Sequence, residues 1–265
     1  MFCWYLKDFP AARIIPVIII FTNLIELIVD LNMNFNKAYV IGSKDFAPQR
    51  LNSFYKNIKS FNMNVNLWPA INGSKVNIEE YKDKNYLTTD FQLNMPGSLG
   101  CLLSHITLWE YCEQDNDCDV ALIFEDDAIL YNNFLELLDR IPLIDIPSNW
   151  NIIKLSYKGL IGEAISNSII KPKLVMTKGT NAGNWCYLLN TKNVSKLKEI
   201  ILPYDNKLSI DVIMRNNIDR LNIFFTSQKL AKHYEKKYSL RKDLNNPNKS
   251  LLMKLKFQLR KYFRS

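Results

Sequence analysis

The stretch "VALIFEDDAIL", residues 120–130, decides how this chain is read. Five apolar, β-prone residues run straight into Glu125, Asp126 and Asp127. A short apolar run without polar alternation is the pattern of a strand buried on both faces of a parallel sheet. Ligands of such sheets gather at the carboxyl ends of the strands. Three carboxylates placed there repel one another unless something positive sits among them, and a hard divalent cation with oxygen ligands is the obvious candidate. The competing reading is that the acids open the next helix, whose dipole favours negative charge. This stretch alone leaves both readings open.

Upstream, "SLGCLLSHITLWEYCEQ" (98–114) places Leu99, Leu102, Leu103, Ile106, Trp109 and Cys112 on one helical face, and a polar turn at 115–119 leads into the strand. Further back, "KAYVIG" (37–42) reads as a first strand. A helix follows from Pro48, well placed in a first turn, with Leu51, Phe54, Ile58 and Phe61 at helical spacing. "VNLWPAING" (65–73) reads as a second strand closing in a turn at Asn72-Gly73. This β-α-β opening predicts an α/β fold. Residues 74–96 are polar and irregular, long enough for a functional loop.

Downstream, "NNFLELLDRI" reads as a helix ended by Pro142 and Pro147. "WNIIKLSY" reads as a strand and "NAGNWCYLLN" as a strand or turn. "TKNVSKLKEIIL" reads as a helix stopped by Pro203, and the alternation continues to about residue 227.

With 265 residues, 48% hydrophobic and 23% charged, the chain can bury a large core and is not of disordered composition. Its net charge of +8 is concentrated from Lys229 onward. Such a tail suits anionic lipid, nucleic acid or phosphorylated ligands. No zinc-finger spacing or RNA-binding signature accompanies it, so no nucleic-acid partner is expected. Five cysteines without a CxxC pair argue against a disulfide framework or a zinc site and for a reducing compartment.

"IIPVIIIFTNLIELIVDL" (14–31) is nearly long enough to span a bilayer, but Asn23, Glu26 and Asp30 lie within it. Three regions result. Residues 1–32 are an apolar extension: a poor anchor, an interfacial helix, or a segment ahead of the domain proper. Residues 33–240 are one α/β domain, and 241–265 a basic amphipathic tail. In that tail Leu252, Leu255, Leu259, Tyr262 and Phe263 oppose Lys254, Lys256, Arg260, Lys261 and Arg264, a pattern suited to an anionic membrane surface.

Taken in order, these stretches resemble glycosyltransferase family 25, which includes bacterial lipooligosaccharide galactosyltransferases. The resemblance runs from about Ala38 to His233. It is strongest in "GCLLSHITLW" (100–109) and "LIFEDDAIL" (122–130), with weaker matches at Arg50, "PAING" (69–73), "GNWCYLLN" (183–190), Asp211 and Gln228. Ser98 stands where the family often has an acid, and Asn72 where it often has Asp. "VIGSKD" replaces the usual Val-Ile-(Asn/Ser)-Leu strand.

The resemblance implies a GT-A-like, Rossmann-related fold around a mixed, mostly parallel sheet. It also implies inverting transfer of a hexose, galactose from UDP-galactose, onto a lipooligosaccharide or similar cell-surface glycan. The acceptor would be lipid-linked and the enzyme peripheral on the inner face of the cytoplasmic membrane. Mn²⁺ or Mg²⁺ would bridge the donor phosphates, stabilising the charge that grows on the leaving nucleotide.

Under this reading Asp127 ligates the metal and Glu125 meets the ribose or a metal-bound water. Asp126 supports that site or touches the sugar, and Asp211 is the catalytic base, though it also suits a helix cap. Arg50 meets the diphosphate. Ser104, His105, Gly183 and Gln228 lie on the substrate side, and His233 could reach the metal. A lone His or Arg in such positions also has ordinary structural uses.

Two rivals remain: a nucleotide-sugar-binding protein that has lost catalysis, and a metal-dependent phosphotransferase or hydrolase using the same acids. The absence of a "GxxxxGK[ST]" stretch counts against a P-loop version of the latter.

Overall fold

The computed structural model describes residues 34–234 apart from 176 and 178, and its compact unit begins at Phe35. The apolar extension at 1–32 and the basic tail at 241–265 lie outside the described residues. Among the described residues no helix is long and apolar enough to cross a membrane.

In chain order, β1 (Lys37–Gly42) leads to α1 (Pro48–Ile58), with Pro48 in its first turn, and on to β2 (Asn66–Pro69). A short α2 (Ile78–Asp83) follows, then the long α3 (Pro96–Gln114) and β3 (Val120–Glu125). Next come β4 (Ala128–Leu130), α4 (Phe134–Asp139), β5 (Ile152–Lys154), β6 (Gly162–Ala164) and β7 (Ile169–Pro172). The chain continues through β8 (Cys186–Asn190), α5 (Val194–Ile201), α6 (Ile210–Asn216), β9 (Ile223–Thr226) and β10 (Ala231–His233).

The main sheet has the order β2-β1-β3-β8-β5-β9-β7-β6. β2, β1 and β3 run parallel, as do β5 and β9, while β8 runs antiparallel between β3 and β5. β7 is also reversed, pairing antiparallel with β9 and β6. This is a mixed α/β sheet with six of its eight strands pointing one way, as the family resemblance implied.

Alternate residues of β3 enter two different cores, as the two-residue period of a strand requires. Ala121 and Ile123 join a cluster with Leu99, Leu102, Leu103, Ile106 and Trp109 of α3, Leu197 of α5 and Met214 of α6. Leu122 and Phe124 join the opposite cluster, with Leu51, Phe54 and Ile58 of α1 and Phe134 and Leu138 of α4. Helices therefore cover both faces, which is why the run is continuously apolar. Each of the buried Leu, Ile, Phe and Met side chains contributes about 1.5–3 kcal/mol.

α3 is fixed at its start by a backbone-to-backbone approach. A Cβ on Gly100 would stand 2.4 Å from the Ile71 carbonyl oxygen and 2.7 Å from the Gly73 nitrogen. Ser104 completes the joint, its Oγ accepting from Ile71 N at 2.8 Å and donating to the Gly100 carbonyl at 2.6 Å. The "PAING" and "GCLLSH" stretches are thus two halves of one contact. Asn72 Oδ1 accepts from Ser74 N at 3.0 Å, a task Asp and Asn perform alike, so the Asn-for-Asp departure leaves the turn intact.

Three local readings are corrected. The acids after β3 do not open a helix: Asp126 and Asp127 form a turn into β4, which pairs with β10. The segment 74–96 is not wholly irregular, because it contains α2. Asp211 is not a helix cap. Ser209 holds that position and donates its hydroxyl hydrogen to Asp211 Oδ1 at 2.5 Å.

Candidate active site

The pleat of β3 separates the three acids instead of crowding them. Glu125, in phase with Ile123, belongs to the α3 face, whereas Asp126 is in phase with Phe124 and the α1 face. Asp126 stays in register with β1, its backbone N–H donating to the Ile41 carbonyl at 3.1 Å. Close approach there depends on Gly42, whose absent Cβ would lie 3.2 Å from Asp126 Cβ.

On the α1 side Arg50 supplies the positive charge. Its guanidinium donates to Asp126 Oδ1 and pairs with Asp127 Oδ2 at 2.8 Å. Burial pushes the Asp126 carboxyl up to about 7. Asp127 and Glu125 add to the rise, and Arg50 pulls against it. Asp127 has a second partner in His233 on β10, whose Nε2 lies 3.3 Å from Oδ2. Tyr234 N also donates to the Asp127 carbonyl at 2.9 Å. The other carboxylate oxygen, Asp127 Oδ1, is buried with no hydrogen-bond partner, as is His233 Nδ1. Trp185 stacks on the His233 ring at a centroid distance of 4.6 Å.

On the α3 side the partner is His105. Trp109 Nε1, which can only donate, bonds the Tyr187 hydroxyl at 2.8 Å, and that hydroxyl lies 2.8 Å from His105 Nδ1. The other ring nitrogen, Nε2, faces Glu125 Oε1 at 3.3 Å. His105, Trp109 and Tyr187 are all fully buried, so the ring is held in one orientation.

Lys154, at the end of β5, is a second cation on this face. It is completely buried, and desolvation depresses its amine to about 8 against the attraction of Asp211 and Glu125. Its ammonium lies 5.5 Å from the centre of the Phe225 ring. Asn184 donates to Met214 Sδ at 3.7 Å, one turn along α6 from Asp211, and its own Oδ1 is buried and unpaired.

Of the residues singled out from sequence, Arg50, Asp126, Asp127 and His233 meet in one network. Glu125 and His105 meet in a second, and Lys154 connects that pair electrostatically to Asp211. Ser104 faces the Ile71 turn, as described. Gly183 lies against the Trp185 ring at φ +99°, where a Cβ would collide at 2.4 Å. Gln228 is exposed. Lys154 and Tyr187 were missed. The one signal for Lys154 is a single charge inside the apolar run "WNIIKLSY".

The chain matches the model of glycosyltransferase family 25 (LPS biosynthesis protein) over residues 35–214. A relative in Aedes aegypti, named glycosyltransferase 25 family member, is 25% identical over 199 residues. That alignment covers 70% of this chain and 32% of the relative, so the chain spans about a third of the relative's length. Similar solved structures include a Drosophila β-1,4-galactosyltransferase 7 mutant in complex with manganese, UDP-Gal and xylobiose. It has a TM-score of 0.38 and 11% identity, covering 76% of this chain and 71% of that one. Another is galactosyltransferase LgtC with donor and acceptor sugar analogues, at TM-score 0.39 and 11% identity, covering 76% and 87%. The family match begins just ahead of β1 and ends within α6, taking in every residue of the two networks except His233, and this chain therefore belongs to glycosyltransferase family 25.

Proposed function

We propose that the chain transfers a hexose from a nucleoside diphosphate sugar to a glycan acceptor, with a divalent cation held by Asp127 and His233. The observation that carries this reading is the buried, unpartnered Asp127 Oδ1 beside the His233 imidazole at the carboxyl end of β3. A buried carboxylate oxygen without a partner is costly unless a ligand completes it. One carboxylate and one imidazole fit Mn²⁺ at least as well as Mg²⁺. When bound, the cation would neutralise the charge developing on the departing nucleoside diphosphate.

The chain's own residues do the rest. Arg50 holds Asp126 and Asp127 and presents a permanent cation toward the phosphates. His105 fixes Glu125 for a polar contact with the donor's ribose. Asp211 takes the proton of the attacking acceptor hydroxyl, and Lys154 keeps a positive charge near that carboxylate. UDP-galactose is the donor favoured by the family resemblance, with inversion at the anomeric carbon. A lipid-linked lipooligosaccharide or similar glycan is the matching acceptor, reached at the cytoplasmic face of the membrane through the basic tail. The family's description as an LPS biosynthesis protein supports this acceptor class.

The test is a panel of UDP-sugars incubated with the purified full chain and Mn²⁺, following UDP release with and without glycan acceptors. Release from one donor, abolished by chelation and by Asp127→Asn, supports the reading. Absence of release from every donor, or release indifferent to Asp127, refutes it.

A further inference from the structure

Counting cysteines argued against zinc because no C-x-x-C pair exists, but the fold assembles soft ligands in another way. Cys101 and His105 are four residues apart on α3, so both side chains lie on one helical face. That face meets the end of β3, where Glu125 emerges. The Cys101 sulfur, a ring nitrogen of His105 and a carboxylate oxygen of Glu125 all lie within 4.8 Å of one another. Ligands around a tetrahedral zinc ion sit about 3.5 Å apart, so small side-chain adjustments would close the set.

His105 is prepared for ligation by what holds its far side. Nδ1 is tied to the Tyr187 hydroxyl, itself tied to Trp109, which leaves Nε2 as the nitrogen facing Glu125. Ligating histidines characteristically have their second nitrogen fixed in this way. In the cation-bound form Nδ1 carries the hydrogen and donates it to the Tyr187 oxygen, Nε2 offers its lone pair, and the Cys101 thiol releases its proton. Cys101 and Glu125 are only half-buried, so the position can be entered from outside. Three protein ligands leave a fourth position for water.

We propose that Cys101, His105 and Glu125 form a second cation site, distinct from Asp127 and His233, that takes a thiophilic divalent cation such as Zn²⁺ and thereby withdraws Glu125 from the donor. A thiolate with an imidazole selects zinc or cobalt over magnesium, whereas the carboxylate-imidazole pair at Asp127 has no soft ligand. The binding site stands on geometry alone. Its inhibitory consequence rests on the donor role assigned to Glu125 above.

Cobalt distinguishes the two sites, because only the thiolate site gives a sulfur-to-cobalt charge-transfer band. Co²⁺ is titrated into the full chain under excess Mg²⁺. The expected result is a near-ultraviolet band saturating at one equivalent, bleached by Zn²⁺ and absent in Cys101→Ser. Loss of a supporting residue weakens metal sites about 10–100-fold, so loss of a ligand should weaken Zn²⁺ binding by more than about 100-fold. No band, or a band retained in Cys101→Ser, overturns the site. A measurement on the unaltered chain guards against misfolding of the variant: Zn²⁺ should slow alkylation of Cys101 while Mg²⁺ does not, and equal rates overturn it. Neither readout needs a turning-over enzyme, so failure here is separable from failure of the transferase reading. Where donor consumption is measured, Zn²⁺ should inhibit the unaltered chain, and inhibition unchanged in Cys101→Ser overturns the regulatory half.

Discussion

Replacing Lys154 with Met should make the protein more stable and less active. The amine is buried at the end of β5, and desolvation lowers it to about 8 from the ordinary 10.5. At about 1.4 kcal/mol per unit, protonated Lys154 destabilises the fold at pH 7 by about 3 kcal/mol. The unfolded chain binds more protons than the folded one between about pH 8 and 10.5, so stability rises with pH across that window. Below about 8 the penalty is present in full. Between pH 7 and 9.5 the unaltered chain should therefore gain about 2 kcal/mol relative to Lys154→Met. Urea unfolding at both pH values measures it. The variant should be more stable at pH 7 by up to about 3 kcal/mol, and its advantage should shrink at the higher pH. Donor turnover should fall, because Asp211 and Glu125 lose their common cation. Equal stability at pH 7, or parallel pH dependences for the two proteins, would refute the reasoning. A charge kept at such a thermodynamic disadvantage is more readily explained by function than by folding.

Three further outcomes are expected. Arg50→Met leaves the buried Asp126 and the partly buried Asp127 without their cation and should destabilise by about 3–5 kcal/mol, and Mn²⁺ should raise its melting temperature more than that of the unaltered chain. Gly100→Ala places a Cβ 2.4 Å from a backbone oxygen, so it should cost about 1–3 kcal/mol or more in denaturant unfolding and loosen the helix that carries His105. Asp211→Asn should lower kcat about 10²–10⁴-fold while donor KM and melting temperature stay close to those of the unaltered chain, as loss of a general base predicts.

The elements legible in the sequence are those specified locally. β1, α1, α3 and β3 each carry an unbroken apolar pattern, and Pro48 marks the start of α1 through its fixed backbone angle. α2 was read as loop because its six residues, "IEEYKD", are too short for a periodic signal. β4 resembled a helix start because its three residues are explained only by β10, about a hundred positions later. The β6–β7 hairpin was not read at all, its strands being three and four residues long.

The candidate site divides in the same way. The acids, Arg50 and His105 stood out by residue type and motif, but their pairings depend on the pleat. Which acid faces α1 and which faces α3 follows from the parity of positions along β3, a consequence of pairing that composition does not express. His233 lies beside Asp127 because β10 pairs with β4, and the attraction between Lys154 and Asp211 joins a strand to a helix, so neither is expressed locally.

The central claim is that Asp127 and His233 grip a cation carrying the donor's diphosphate. Calorimetric titration of UDP into the full chain, with Mn²⁺ and after chelation, addresses it without requiring the acceptor. The account predicts binding with Mn²⁺ that weakens more than about 100-fold on chelation and equally in Asp127→Asn. UDP binding of equal strength in chelator, or in Asp127→Asn, would contradict it.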